Sequence, residues 1–524
     1  MTKLLSQKLG LNIIYDLIDA PSEMMAHVKR IKLKEPLGSA AEIAKAYEGR
    51  KNFIRILSEN PQTEWQQIFS HINLIDPATY AAGGDLGIHD LYELKLFLYY
   101  YARLRQLLNG QEYKQYSLPN LSQLFDLLDP EGGNIPSFRL SPLYSKSLSS
   151  LVSKRQQLSH KLKHKLAATL QEARQQLPIP NLKDEFVLSR SQAQLIEQVQ
   201  ASGYFIVSGE SIANLSFRLA DSAETNSLKQ QIASLNQAIT TAEEKVLNRL
   251  SGKIQRQAKN LAIAVQSVFS ISWDYMLAAF AMRYHCCIPT LATKSTQSLK
   301  VTDAVNLPLK LALKAQNREY QPLQLIFSQS ANLITGPNMG GKTNILKLVA
   351  QICELTRYAI PIPATTAQVP VYDFIYYNHT QESDSLSSFG AEVVAFCTAL
   401  KHKGKGLFLL DEIAKGTNPT EGEAIATAII KHLSETHHTC ISATHFTAPA
   451  MLQDIRQYRI AGIPKDFKLS RAESGELGKS LKHLANAMDY NLIPLKKHTA
   501  PAMDAIRIAA VLGLPDEILR LLGH

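Results

Sequence analysis

Nine residues, Thr335-Gly-Pro-Asn-Met-Gly-Gly-Lys-Thr343, constrain this chain more than any other stretch. A short apolar run, Leu333-Ile334, leads into them. An amphipathic segment follows, with Ile345, Leu348, Val349 and Ile352 on one face at helical spacing. Gly336-x4-Gly341-Lys342-Thr343 between a strand and a helix is the phosphate-binding P-loop pattern. Glycines let backbone N–H groups turn inward on phosphates, and the helix N-terminus adds positive potential. Lys342 is then placed to reach the terminal phosphates and Thr343 to ligate Mg²⁺. Gly336, Pro337, Asn338, Met339, Gly340, Gly341 and Asn344 complete the expected nucleotide contacts. The bland alternative is a glycine-rich turn before an ordinary helix, so the partners of the loop decide.

Such a loop needs a carboxylate for the metal shell and a base for water. The buried-strand pattern Gly406-Leu-Phe-Leu-Leu-Asp411-Glu412 supplies both in order. Asp411 would bind the Mg²⁺ shell, and Glu412 would accept a proton from attacking water. Alone, an acidic pair after an apolar run is common; about seventy residues after a P-loop it is far more specific. Cys440-Ile-Ser-Ala-Thr-His445 reads as another strand with a His at its C-terminal end, where ligands gather in parallel sheets. His445 is the candidate sensor of the γ-phosphate. Ser385 to Glu392 precedes an apolar helix. Its hydroxyls read equally as an N-cap and as a donor-rich cradle for phosphate.

In this order the four elements resemble the ATPase of the MutS mismatch-repair family, a relative of the ABC ATPases. Pro337-Asn338-Met339 inside the loop is a feature of that family, and Asp411 to Pro419 is similar to its extended Walker B segment. Ser387-Ser388-Phe389 resembles its signature segment, and Ala443 to Phe446 its His switch. The closing stretch, Ala505–Ala510 and Gly513 to Glu517, resembles its C-terminal end. The resemblance implies ATP and Mg²⁺ as cofactors. It also implies a homodimer in which Ser387 acts in trans on ATP held by the opposite protomer. In the helical half, Leu9 to Asn12 and Glu48-Gly49-Arg50 resemble the start of the family's core domain, and a long helix over 225–270 its lever.

The departures shape the expected function. The core-like pattern begins near residue 5, leaving no room upstream for a mismatch-recognition domain, and no Phe has Glu two positions on. Only residues 178–225 separate the two long helices, room for a remnant of the family's DNA clamp. The usual His-Pro-Leu is Leu307-Pro308-Leu309 here, and no nuclease-like tail precedes His524. The expectation is therefore a DNA repair or recombination ATPase acting as a dimeric conformational switch. Duplex or branched DNA is the expected ligand, without mismatch recognition by this chain alone. The alternative is a nucleotide-switched scaffold for protein partners. A P-loop kinase fits badly, having no use for Ser387 and His445.

Periodicity fills in the rest. Helices are expected over Ala40–Leu57, His89–Leu108, 143–177 and 225–270; the last carries a heptad-like seam from Leu228 to Leu250 that continues through Val268. Tyr204 to Val207 reads as a strand, and Leu323–Phe327 and Asn332–Thr335 as adjacent strands. The fold class is α + α/β. An all-α core occupies 1–304, with 178–225 as a reduced clamp-like insertion. An ABC-like ATPase domain, ending in a helical dimerisation segment, occupies 305–524. Residues 331–524 carry 19 Lys and Arg against 18 Asp and Glu, so +9 of the net +10 lies in 1–330. That suits a polyanion partner or a basic solvated surface. The helix over 143–177 holds a cluster, Lys154-Arg155 and His160 to Lys165, that reads as a solvated face or as phosphate contacts. Five cysteines without metal spacing point to free thiols in a reducing compartment. No leader pattern and no apolar run of membrane length is evident, so the expected location is the cytoplasm, away from membranes.

Overall fold

The computed structural model describes the chain apart from residues 1–2, 60–61, 83, 109–115, 294–297, 329, 337–340, 379–387, 463–487, 496–514, 516 and 519–524. The chain forms two compact units, residues 71–268 and residues 1–70 together with 269–524.

In the unit 71–268, helix Ile88–Leu107 buries Leu91, Leu94, Leu98, Tyr101 and Leu104, the stripe expected from periodicity. Lys95 is buried on the same helix because its ammonium meets the Asp129 carboxylate at 2.9 Å. Two long helices, Lys146–Gln176 and Ala223–Gln255, pack side by side. Lys165 meets Glu224 at one end (2.8 Å), and Arg249 donates to the Tyr144 carbonyl at the other, so they run antiparallel. Ser222 caps the second by accepting from the Thr225 N–H at 3.1 Å.

Between them the chain builds β1 (Glu185–Ser189), helix Ala193–Ala201, β2 (Phe205–Glu210) and β3 (Asn214–Leu219). The strands form an antiparallel sheet of order β1-β3-β2. Phe205 and Phe217, with Leu182 and Val199, close its core against Ala173 of the first long helix and Leu177 just past its end. The sequence pointed only to the strand near Tyr204. The second long helix does not run unbroken to residue 270: it ends at Gln255, and after Arg256 and Gln257 a new helix, Ala258–Tyr284, begins. Gly252, a poor helix former, lies in the last turn before the break.

The other unit joins the N-terminal helices to the sheets. Phe53, Trp65, Phe69 and Tyr275 form an aromatic cluster, with Phe69 and Tyr275 stacked at 4.5 Å. The Gln351 amide donates to the Leu9 carbonyl at 2.6 Å, and the Tyr47 hydroxyl to the Ile360 carbonyl at 3.1 Å. Residues 1–70 thus fold with the second half of the chain, whereas the sequence suggests one boundary near 305. That boundary also falls later than the sheets begin. β4 (Thr290–Leu291), β5 (Leu299–Ala304), β6 (Leu323–Phe327) and β8 (Thr366–Val369) form a four-stranded sheet of order β4-β8-β5-β6.

The larger sheet holds β7 (Ala331–Thr335), β9 (Phe374–Tyr377), β10 (Gly406–Asp411), β11 (Thr439–Ala443), β12 (Arg456–Gly462) and β13 (Asp489–Pro494). Its order is β13-β12-β7-β11-β10-β9, parallel except for the β12–β13 pair. β6 and β7 are consecutive but enter different sheets. Buried Asn332 fixes the turn between them, accepting from the Ser328 N–H at 3.0 Å and donating to the Cys440 carbonyl of β11 at 3.1 Å. Helix Pro419–Ser434 covers one face of the large sheet, packing Ala426, Ile430 and Leu433 on Ala331, Leu333, Phe408, Leu410 and Cys440. The fold is therefore mixed α and β. Among the described residues one helix, Ala258–Tyr284, is long and apolar enough by length and composition to cross a membrane, contrary to the expectation of no run of membrane length. Its apolar side chains, including Leu261, Val268, Met276, Leu277 and Phe280, are buried in the protein.

Candidate functional site

β7, β10 and β11 end level with one another, because Ile334 pairs with Ala443 and Ala443 with Asp411. Three segments therefore leave the sheet at one edge: the glycine loop, Asp411-Glu412 and Thr444-His445. This is the carboxyl edge of parallel strands, where crevices form between diverging loops.

The glycine loop ends at Gly341, whose φ of +84° is left-handed and which caps helix Lys342–Arg357. A side chain there would also strike Tyr490, since an added Cβ would lie 3.1 Å from its ring. Lys342 is only 4% exposed, and its ammonium donates to the Gly336 carbonyl at 2.5 Å. Burial lowers its pKa, while the Glu412 and Asp411 carboxylates pull in the opposite direction. Thr343 is exposed on the first helical turn. Asn344 lines a cavity of about 830 Å³ that runs from Gly341 along Leu309, Leu313, Tyr320 and Tyr490. The Gln321 amide braces the wall of that cavity, donating to Asp489 at 2.9 Å and accepting from the Tyr490 N–H at 3.2 Å.

Asp411 is held by neighbours that the motif does not name. Asn378, just past β9, accepts from the Asp411 N–H and donates to the Asp411 carbonyl at 3.1 Å. The Tyr377 hydroxyl donates to the Asp411 carboxylate at 3.3 Å. Glu392 then joins two pieces of the edge. It accepts from the Asn378 amide at 2.7 Å and from the Ala414 N–H at 3.0 Å.

Glu412 and Ala414 both adopt left-handed φ, +49° and +63°. Such backbone costs about 1–2 kcal/mol per residue and persists where contacts impose it. The contacts here are the Glu412 N–H to Ala443 carbonyl bond, 2.8 Å, and the Glu392 bond to Ala414. Burial opposes charge on the Glu412 carboxyl, yet Lys415 at 2.6 Å, with His445 and Lys342, holds it below the usual carboxylate range. His445 Nδ1 lies 3.7 Å from Glu412 Oε1. The turn after His445 is pinned to helix Pro419–Ser434 through Glu423, which accepts from the Thr447 and Ala448 N–H groups, each at 2.7 Å. That helix can approach because Gly422 has no side chain: a Cβ there would lie 2.6 Å from the Ala414 carbonyl oxygen.

With this geometry in place, the relatives become informative. The family model for MutS domain V matches residues 332–520, from β7 onward. The DNA mismatch repair protein MutS of Thermus aquaticus is 27% identical over 303 residues, 56% of this chain and 34% of its own. Endonuclease MutS2 of Caldanaerobacter subterraneus is 27% identical over 248 residues, 44% of this chain and 29% of its own. The DNA mismatch repair protein MutS of Bartonella henselae is 31% identical over 239 residues, 43% of this chain and 26% of its own.

Residues 332–520 match MutS domain V, and the likeness to MutS and MutS2 proteins extends over about half of the chain. The chain spans about a third or less of the length of these curated relatives. The 303-residue alignment is longer than the domain V match, so the likeness to MutS proteins reaches beyond that domain.

Of the residues expected from sequence, the structure gathers Gly336, Gly341, Lys342, Asp411, Glu412 and His445 at one edge, with Thr343 and Asn344 on the adjoining turn. Pro337, Asn338, Met339, Gly340 and Ser387 lie outside the described residues, as does Ala505–Ala510. Helix Ser388–Leu400 starts directly after Ser387 and carries Glu392. Asn378, Glu392, Lys415 and Tyr490 are what the MutS-type motifs left unassigned. One signal was available for Asn378: it is a polar residue just beyond an apolar parallel strand, as Thr444 and His445 are.

Proposed function

We propose that this chain binds and hydrolyses ATP with Mg²⁺ at the β7–β10–β11 edge and uses the nucleotide state to switch a dimer that engages DNA in repair or recombination. The observation that carries the reading is the setting of Glu412: Lys415 at 2.6 Å, with His445 and Lys342, holds its carboxyl below the usual carboxylate range, as a general base requires. The residues present fit a magnesium nucleotide. A left-handed glycine opens the helix, a lysine is half-desolvated behind it, and a cavity beside Gly341 and Asn344 is walled by Tyr490, Leu309 and Leu313. Lys342, with Gly336 to Asn344, would hold the phosphates, and the cavity would take the nucleoside. Thr343 and Asp411 would hold Mg²⁺, which when bound screens phosphate charge. Ionised Glu412 accepts the proton of the attacking water, and His445, on the same edge, senses the γ-phosphate. Ser387 of a second protomer would complete the site, so ATP favours the dimer over separate chains. The mismatch-repair names of the relatives and the basic excess in 1–330 support DNA as the partner. We place this activity in the cytoplasm.

The test is Glu412→Gln. It should bind ATP as wild type does, lose roughly 100-fold or more of hydrolysis, and sediment as a dimer in ATP. Lys342→Ala should lose nucleotide binding. Undiminished hydrolysis by Glu412→Gln would remove Glu412 as the base. ATP-dependent capture of a protein partner after nuclease treatment, with no DNA binding at low salt, would favour the scaffold instead.

A further inference from the structure

Gln351 is an amide where the core would accept an apolar side chain. It lies in the second half of helix Lys342–Arg357, between buried Ala350 and Ile352, and is itself 2% exposed. Its side-chain nitrogen donates to two acceptors, the Leu9 carbonyl at 2.6 Å and Asn306 Oδ1 at 3.4 Å. Its side-chain oxygen is buried and meets no donor among the described residues. A buried amide oxygen left unpaired costs stability, so packing alone does not account for a glutamine here. What its nitrogen holds does.

Asn306, buried as well, organises one wall of the cavity beside the glycine loop. Its Oδ1 also accepts from the Leu309 N–H at 3.2 Å, which caps helix Leu307–Ala315. Its backbone N–H donates to the Tyr320 hydroxyl at 3.0 Å. Leu309, Leu313 and Tyr320 are the wall set in place by these bonds. Gly341 and Asn344, at the start of the helix that carries Gln351, line the same cavity. Asn344 and Gln351 are seven residues apart, two helical turns, and so share a face at a spacing of about 10 Å. One helix therefore presents the glycine loop at its first turn and bonds the cavity wall two turns later. The Leu9–Gly10 turn backs both contacts. It accepts the Gln351 amide and lies against Pro308 of the wall helix, whose ring carbon would be 3.0 Å from a Cβ on Gly10.

We propose that Gln351 is a positioning residue for the nucleotide: through Asn306 it fixes the wall that takes the nucleoside relative to the loop that takes the phosphates. The proposal rests on the reading above that this edge binds ATP. Loss of the Gln351 amide then weakens the hold on the nucleoside and leaves the hold on the phosphates as it was.

The experiment is isothermal titration calorimetry of the full chain with Mg²⁺ and either ATP or inorganic tripolyphosphate, which has the phosphates and no nucleoside. Q351M keeps the length of the side chain and removes the donor. Its Kd for ATP should rise roughly 10-fold, as expected when buried acceptors lose their donor. Its Kd for tripolyphosphate should match wild type. N306A, which removes the shared acceptor and the helix cap, should shift the ratio of the two constants in the same direction, and it supplies the test should Q351M melt too early to titrate. N306D, which retains the oxygen, should keep the wild-type ratio. T356V is the control for stability: it removes a different buried polar contact on the same helix, the Thr356 hydroxyl to the Ile352 carbonyl, and should leave the ratio alone.

A ratio unchanged in both Q351M and N306A would overturn the positioning role and leave the ATP reading intact. Equal loss of both ligands, or the same shift in T356V, would reduce Gln351 to a stabilising contact and overturn the role as well. Wild type that binds tripolyphosphate as tightly as ATP would take the nucleoside out of this cavity and the proposal with it. Wild type that binds neither ligand would sink the ATP reading itself.

Discussion

Glu412 shows how much of a catalytic assignment depends on neighbours. A half-buried carboxyl would resist ionisation, and Lys415, three residues on, reverses that at 2.6 Å. Removing this cation should raise the Glu412 pKa. Because the proposed base would work only when deprotonated, the acid limb of the proposed ATPase's pH–rate profile should then move to higher pH. Lys415→Met, measured from pH 4 to 8, checks this; an unmoved limb would mean that Lys415 does not set the base. Glu392 acts one step further out. As Gln it keeps one acceptor and loses the other, so either the Asn378 amide or the Ala414 N–H goes unpaired. That costs about 1–3 kcal/mol and loosens the Asp411–Ala414 loop. Glu392→Gln should lower kcat while leaving KM for ATP close to wild type, since residues 336–344 are untouched. Steady-state kinetics decide, and a changed KM with normal kcat would contradict the assigned role.

Helix Pro419–Ser434 is the element that ties the site to the core. Asn418 caps it, accepting from the Thr420 N–H at 3.0 Å, and Pro419 supplies a preset first turn. Its inner face is apolar, and Glu423 on its first turns holds the loop after His445. Gly422 lets the helix rest on the Ala414 carbonyl. In a helix Ala is ordinarily favoured over Gly by about 1 kcal/mol. Gly422→Ala should do the reverse here, because the new Cβ meets backbone and the helix must move off the loop. A lower melting temperature together with reduced ATP turnover is the expected result. A variant more stable than wild type would show that the close approach carries no constraint.

At the scale of the molecule, the half that carries the glycine loop is not self-contained. Leu9, Leu11 and Ile14 are buried, and Leu9, Tyr47 and Arg50 bond to the helix Lys342–Arg357 or to the backbone just after it. A fragment starting at 305 would expose those partners and lose β5 from its sheet. Residues 305–524 alone should therefore melt well below the full chain or fail to stay soluble, whereas 1–70 supplied in trans should recover stability. Calorimetry of the fragment with and without residues 1–70 tests this; a fragment as stable as the full chain would refute it.

Local order along the chain determined the glycine loop, the acidic pair, the terminal His and most long helices. Each is written in residues a few positions apart, where periodicity and backbone sterics act directly. The resemblance rested on those same segments. Tertiary structure alone decided what lies across long loops. It sent β6 and β7 to different sheets, brought residues 1–70 back to the helix Lys342–Arg357, and placed Asn378 and Glu392 around Asp411. It also broke the second long helix at residue 256, where a continuous seam was expected. These outcomes depend on which distant groups pay for closing a loop and can satisfy one another's hydrogen bonds. No short window of sequence contains both halves of such a pair.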